Sequence, residues 1–263
     1  MKMKIGIAFN QQTKPKTKQP AQKIAKWLKD NDCKIYFNPT KKILKNGLDF
    51  VIVLGGDGLI LHLADQVADF AIPLIGINFG RSGYLCDVEY NKVFKKLEKI
   101  LKENFKVRKA TRIQAEIFRK DKKVKIISGL NEILIGGINR TVFLEIKTRD
   151  EKEEFKAEVI GDGIIISTQI GSTAYNLNAG GAMLLLDAFS VVASNGLFKS
   201  NFLLSNTKSF ITSAKAIFET QILNLHKQNL LYLTADGQRS YKLESNDFII
   251  IKKAKEKTLF VKL

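Results

Sequence analysis

Val53-Leu54-Gly55-Gly56-Asp57-Gly58-Leu59-Ile60 encloses one carboxylate among three glycines, directly after the apolar run that begins at Asp49 and ends at Leu54. An apolar run that ends in glycines and opens into helical spacing (Leu59, Ile60, Leu61, Leu63, Ala64) predicts a strand, a tight loop and a helix. In that geometry backbone N–H groups at the helix start can hold a phosphate chain, and Gly55, Gly56 and Gly58 let the chain come close. The acid sets this loop apart from an ordinary phosphate loop. A carboxylate beside polyphosphate is repulsive unless it binds a metal ion or takes a proton from a reacting hydroxyl. Two readings of the loop stand side by side: Asp57 as a chemical group, or Asp57 as the N-cap of a strand-to-helix turn.

On both sides of this loop, strands alternate with helices. Residues 4–10 read as a short apolar strand, and Pro20 opens a segment in which Ala21, Ile24, Ala25 and Leu28 keep helical spacing. Residues 33–37 and 72–77 read as further strands, the second leading into another glycine-containing loop, Asn78 to Tyr84. Between Asn91 and Glu103, Val93, Phe94, Leu97, Ile100 and Leu101 recur at helical spacing. This alternation predicts a Rossmann-like α/β domain with a parallel sheet covered on both faces, whose ligands gather beyond the carboxyl ends of the strands. From Thr111 the pattern changes. Residues 112–118, 124–128, 132–135, 141–148 and 155–160 are β-rich with little helix between them, and 209–212, 230–235 and 248–252 continue the pattern. The expectation is two domains, 1–106 of α/β type and 107–263 an all-β sandwich, with the last strand or tail able to pack back on the first.

The chain has 263 residues, 45% of them hydrophobic, enough for one large or two modest cores. No stretch approaches the roughly 20 apolar residues that cross a bilayer, and the N-terminus enters a strand without a signal-type apolar region, so a cytoplasmic protein without a membrane partner is expected. Cys33, Cys86, His62 and His226 form neither a disulfide framework nor a metal-ligand cluster by spacing. The formal charge of +17 calls for a polyanionic partner, either nucleic acid or a phosphorylated small molecule. The excess is scattered lysine, and no helix-turn-helix, zinc-finger or aromatic ribonucleoprotein pattern accompanies it, which argues against nucleic acid.

Two constellations lie in the β-rich part. Asn131-Glu132 sets an amide beside a carboxylate where a strand begins, and such a pair can hold the two hydroxyls of a ribose or simply make a surface turn. Gly161-Asp162-Gly163 opens a strand that runs to Ser167-Thr168 and then into Gly171-Ser172-Thr173-Ala174-Tyr175 and Gly180-Gly181. A strand entering a small, hydroxyl-rich turn before a helix suits a nucleotide, with Tyr175 available to stack on a flat ring; such a turn is also often only a turn.

Taken together and in this order, Gly55-Gly56-Asp57-Gly58, Asn131-Glu132, Gly161-Asp162-Gly163 with Ser172-Thr173-Ala174-Tyr175, and a late Asp236-Gly237-Gln238 resemble the motifs of the NAD kinase family. The resemblance implies phosphorylation of NAD on the 2′-hydroxyl of its adenosine ribose to give NADP. ATP or polyphosphate would be the donor, with Mg²⁺ or another divalent cation, in a homodimer or homotetramer. It implies that Asp57 orients or deprotonates the 2′-hydroxyl, that Gly55, Gly56 and Gly58 make room for phosphates, and that Asn131 and Glu132 grip the adenosine half. Asp162 would meet the nicotinamide-ribose end, with Thr173, Ala174 and Tyr175 lining the dinucleotide pocket and Gly58 beside it; no protein metal ligand is implied.

The chain departs from the family pattern in four places. Leu59 stands where a threonine is usual, Gly80-Arg81-Ser82-Gly83-Tyr84 replaces a Gly-His-Leu-Gly-Phe loop, and Gln169-Ile170 replaces Pro-Thr/Ser. Residues 187–199 occupy the region of a Thr-Pro-x-x-Pro-His run. Arg81 reads either as a charge for a phosphate or as an exposed loop arginine. Three alternatives follow: a lipid kinase that shares Gly-Gly-Asp-Gly, a kinase with another nucleoside-like acceptor, and a non-catalytic NAD(P)-binding sensor.

Overall fold

The structure, a computed structural model, describes residues 2–10, 15–79, 83–86, 88–102, 105–137, 141–149, 154–200, 206–224 and 230–262. Gly80, Arg81, Ser82 and His226 lie outside them. The chain divides into two compact units, Met1–Ala110 with Glu256–Leu263, and Thr111–Lys255.

The first unit is built on β1 (Lys4–Phe9), β2 (Lys34–Phe37), β3 (Phe50–Gly55), β4 (Leu74–Asn78), β5 (Val88–Glu89), β6 (Lys106–Ala110) and the last strand, β20 (Thr258–Lys262). Its sheet runs β2-β1-β3-β4-β20-β6, with β5 also on β4. All neighbours are parallel except β6, which pairs antiparallel with β20. Four helices accompany it: α1 (Lys18–Asp30), α2 (Lys41–Lys45), α3 (Asp57–Ala68) and α4 (Val93–Lys102). Every residue of β3 is buried, as expected for a central strand covered on both faces. Phe50, Ile52 and Leu54 join one core with Ile24 and Leu28 of α1 and Leu97 and Ile100 of α4, and the Trp27 and Phe94 rings meet at 5.8 Å. The opposite face receives α3, where Gly76 of β4 lies under Ile60.

Strand β6, helix α2 and the two-residue strand β5 carried no signal in the sequence. Strand β6 reads Lys-Val-Arg-Lys-Ala, too charged for an apolar run; it is an exposed edge, where pairing on one side suffices and lysines discourage further pairing. Helix α2 is only five residues long.

The second unit contains β7 (Ile113–Arg119), β8 (Lys122–Gly129), β9 (Glu132–Gly137), β10 (Val142–Arg149), β11 (Glu154–Gly161), β12 (Gly163–Ser167) and β13 (Ala188–Ser194). It continues through β14 (Leu197–Lys199), β15 (Ser209–Ser213), β16 (Ile217–Asn224), β17 (Leu231–Ala235), β18 (Arg239–Lys242) and β19 (Phe248–Lys253). These strands form two antiparallel sheets, β14-β11-β10-β16-β19-β7-β8 and β15-β13-β12-β9-β17-β18. Alternate residues of each face inward, so Leu144, Ile146, Phe218 and Ile251 of one sheet share a core with Ile133, Ile135, Ile166 and Val191 of the other. Phe189 and Phe218 meet across it edge to face, ring centroids 5.8 Å apart.

By the same alternation Glu132, Leu134 and Gly136 of β9, Ser167 of β12, Ser190 and Ser194 of β13, and Tyr232 and Thr234 of β17 point to the other side of the six-stranded sheet. The helix expected after Tyr175 is a single turn, α5 (Tyr175–Asn178), behind a 3₁₀ turn at Gly171–Thr173. Replacing Phe218 by Ala should cost about 3–5 kcal/mol, since it empties the middle of the sandwich; a loss under 1 kcal/mol in urea titration would contradict this account of the core.

Candidate active site

Asp57 is the first residue of α3, and Gly56, not Asp57, is the N-cap. The extended backbone of Gly56, at φ −118° and ψ −176°, turns the chain from β3 into the helix. The Asp57 carboxylate accepts two backbone hydrogen bonds from a segment distant in sequence: Tyr84 N–H to Oδ2 at 2.8 Å and Leu85 N–H to Oδ1 at 3.1 Å. Gly83 lies directly against this carboxylate, where a Cβ would collide with Oδ1. Two amides thus hold the acid still while it remains half-exposed, and each of its oxygens keeps a lone pair for another donor. Gly58 is exposed, and Leu59 lies over Gly55, which explains how an apolar residue fits there. His62 hydrogen-bonds Gln66 one turn along α3, at 2.8 Å, a structural arrangement.

Asn131 and Glu132 sit at the start of β9, and both are buried. Their backbone is fixed by Asp236, whose carboxylate accepts N–H groups from Leu130 at 2.8 Å, Asn131 at 2.7 Å and Glu132 at 3.2 Å. Asp236 itself lies in the β17–β18 turn in the left-handed region at φ 53°, and its side chain reaches the β8–β9 turn. This leaves Asn131 Oδ1 and Glu132 Oε2 buried without a hydrogen-bond partner. Burial, reinforced by the Asp236 charge, pushes the Glu132 carboxyl up from its ordinary 4.5 to about 7. Burial also raises Asp236, against the pull of its three amide donors.

The hydroxyl-rich turn packs onto this pair. Thr168 donates its hydroxyl to Leu130 O at 2.6 Å and its N–H to Asn131 O at 2.8 Å. A Cβ on Gly171 would run into the Asn131 carbonyl, so only glycine lets the turn come this close. Ser172 and Asn176 are buried and knit the turn to itself through Gln169 O, Leu184 N–H and Ala182 O. Thr173 and Ala174 are half-buried, and the Tyr175 ring is exposed. A cavity of about 630 Å³ opens beside it, bordered by Asp162, Tyr175, Asn195, Tyr232, Thr234 and Ser240.

Among the residues singled out by sequence, Asn131, Glu132, Thr173, Ala174, Tyr175 and Asp162 all lie in the second unit. Asp57 and its glycines lie in the first. Sequence reasoning passed over Gly83, Tyr232, Thr234, Ser240 and Asn195. The strand alternation that buries Leu231, Leu233 and Ala235 was the signal that Tyr232 and Thr234 face the other way.

Residues 38–105 match the ATP-NAD kinase N-terminal domain, and residues 130–263 match the ATP-NAD kinase C-terminal domain. The chain belongs to the NAD kinase family. The NAD kinase of Thermoanaerobacter sp. (strain X514) is 30% identical over 275 residues, spanning 99% of this chain and 94% of that protein. The NAD kinase of Carboxydothermus hydrogenoformans is 34% identical over 226 residues, or 82% and 75% of the two chains. An NAD kinase from Archaeoglobus fulgidus in complex with ATP superposes with a TM-score of 0.72 at 23% identity, covering 99% of this chain and 94% of that one. Yeast NADH kinase complexed with NADH gives 0.78 at 20% identity over 100% and 84%. At these identities the two structures establish the shared fold. Family membership makes this chain an enzyme with NAD kinase activity and sets aside the lipid-acceptor and non-catalytic readings.

Between about pH 4.5 and 7, native Glu132 holds a proton that the unfolded chain has released, so stability falls as pH rises through that window and levels off above it. Glu132→Gln should flatten that fall, which amounts to on the order of 3 kcal/mol. Unchanged pH dependence of chemical denaturation in the variant would show that Glu132 is not the group responsible.

Proposed function

We propose that the chain transfers the terminal phosphoryl group of ATP, or of polyphosphate, to the 2′-hydroxyl of the adenosine ribose of NAD. The observation that carries the acceptor assignment is the pair of orphaned buried acceptors, Asn131 Oδ1 and Glu132 Oε2. A buried polar atom without a partner costs about 1–3 kcal/mol, which a donor-rich ligand recovers. A ribose brings hydroxyl donors and an adenine brings an amino donor. The Asp236 grip keeps both acceptors in place before the ligand arrives, and Thr173, Ala174 and Tyr175 supply a wall and a ring face beside them.

Asp57 is the group assigned to the chemistry. A ribose hydroxyl is a weak nucleophile at neutral pH, and phosphoryl transfer gains chiefly from positioning and charge stabilisation. Asp57 accepts the 2′-hydroxyl proton as the oxygen bonds to the terminal phosphorus. The bond from that phosphorus to the bridging oxygen breaks, releasing ADP and NADP. The two amides from Tyr84 and Leu85 fix the carboxylate for that task, and the exposed Gly58 at the start of α3 leaves room for donor phosphates.

Among the described residues no three His, Cys, Asp or Glu side chains gather as a metal cage. A divalent cation would be carried by the phosphate oxygens of the donor, as Mg²⁺ commonly is, while Asp57 serves the acceptor hydroxyl. When bound, such a cation neutralises phosphate charge.

Asp57→Asn should keep NAD affinity within a few-fold and lower turnover by about a hundredfold or more, as loss of a general base does. Isothermal titration with NAD beside an NADP-formation assay with ATP and Mg²⁺ reads both quantities. Near-native turnover in the variant would remove Asp57 from the mechanism.

A further inference from the structure

On the side of the six-stranded sheet turned away from the sandwich core, three polar side chains stand in one line across neighbouring strands. Glu132 of β9 is the cross-strand partner of Ser167 of β12, and Ser167 is the partner of Ser190 of β13. Directly opposed side chains share a face, with Cβ atoms roughly 4.5–5.5 Å apart. All three residues are buried, Ser167 and Ser190 completely, at 0% exposure. Yet Glu132 Oε2, Ser167 Oγ and Ser190 Oγ have no hydrogen-bond partner.

Buried hydroxyls are nearly always paired, so two adjacent orphans beside an orphan carboxyl point to a bond made in another state of the site. The turn that packs on β12 and β13 has already spent its own polar groups. Thr168 donates to Leu130 O, Ser172 to Gln169 O, and Asn176 Nδ2 to Ser172 O and Ala182 O. Within the line the available partners are one another. One staggered rotation about χ1 turns the Ser167 hydroxyl toward the carboxyl opposite it, and because a hydroxyl both donates and accepts, Ser190 can donate to Ser167 at the same time.

The charged groups around Glu132 are few. Asp236, from the β17–β18 turn, lies beside it, and buried Arg112, ahead of β7, offsets the Asp236 charge. Arg239 of β18 donates to Ser128 O. Residues 168–186 contain no Lys, Arg, His, Asp or Glu, and their one titratable side chain, Tyr175, is exposed. What β12 sets against the Glu132 carboxyl is therefore a neutral hydroxyl.

We infer that Ser167, backed by Ser190, is a positioning residue for Glu132: its hydroxyl turns to donate to the carboxylate and holds it as the acceptor of a ribose hydroxyl of NAD. The inference rests on the NAD kinase reading above and adds to it two residues that act through Glu132. Donation stabilises the ionised carboxylate, so it lowers the pH at which Glu132 becomes a full acceptor, and removing Ser167 raises it.

The test measures kcat and KM for NAD in a pH series spanning the Glu132 value of about 7, in wild type, Ser167→Ala, Ser190→Ala, Glu132→Gln and Ser167→Ala with Glu132→Gln. In the wild type KM should fall as pH rises through that value. Ser167→Ala should move the fall upward by about one pH unit, the size of one hydrogen bond to a charged group, and Ser190→Ala should move it the same way by less. At the alkaline plateau kcat should stay within about twofold, because Asp57 is untouched. With Glu132→Gln in place, Ser167→Ala should have no effect on the profile. A Ser167→Ala profile that coincides with the wild type, or a shift that persists beside Glu132→Gln, overturns the inference. If Ser167→Ala fails to fold, Ser167→Cys, which keeps the volume with a weaker donor, is read by the same shift. If the wild type forms no NADP, the kinase reading fails, and carboxyl-carbon NMR titration of Glu132 in wild type and the Ser167 variant decides the positioning role on its own.

Discussion

The second unit depends on one buried carboxylate. Asp236 accepts three successive amides, from Leu130, Asn131 and Glu132, and so closes a turn whose N–H groups would otherwise point into a dry interior. That grip has two effects at once. It sets the direction in which β9 leaves the turn, and it holds the Asn131 and Glu132 side chains where their free oxygens stay buried and unpaired. The price is a second carboxylate beside it in space that resists ionisation: Glu132 is pushed up to about 7 because it is buried next to an acid. A structure optimised for stability alone would have replaced one of these groups by an apolar residue.

The first unit uses a related device with a different result. Asp57 also accepts backbone amides, from Tyr84 and Leu85, but it stays half-exposed at the start of a helix. Burial and hydrogen bonding therefore separate the two acids by role: Asp236 organises backbone, and Asp57 remains open to a reacting group. Glycines make both arrangements possible by close approach, Gly83 against the Asp57 carboxylate and Gly171 against the Asn131 carbonyl.

Among the described residues, departures from the family pattern fall at places where the fold absorbs them. Residues 187–199 form β13, the Asn195 turn and β14, so the altered segment is a buried strand that contributes Ser194 and Asn195 to the cavity wall. Leu59 covers Gly55 on the helix side, and Gln169 accepts the Ser172 hydroxyl through its carbonyl, a contact that any residue at that position could supply.

Sequence by itself determined the α/β character of the first 100 residues, the β-rich remainder and the residue types able to bind a nucleotide, because hydrophobic period and glycine placement are local properties. Asp57, Asn131, Glu132 and Asp162 were all visible as polar groups at strand ends. Tertiary structure alone decided that Asp236, more than 100 residues downstream, anchors the Asn131–Glu132 turn, and that β20, the tail expected to pack back on the first unit, takes its place between β4 and β6. It also decided that Tyr232, Thr234 and Asn195 meet Asp162 around one cavity. The reason is that strand pairing joins residues at any sequence separation, and neither period nor composition carries the register that brings them together.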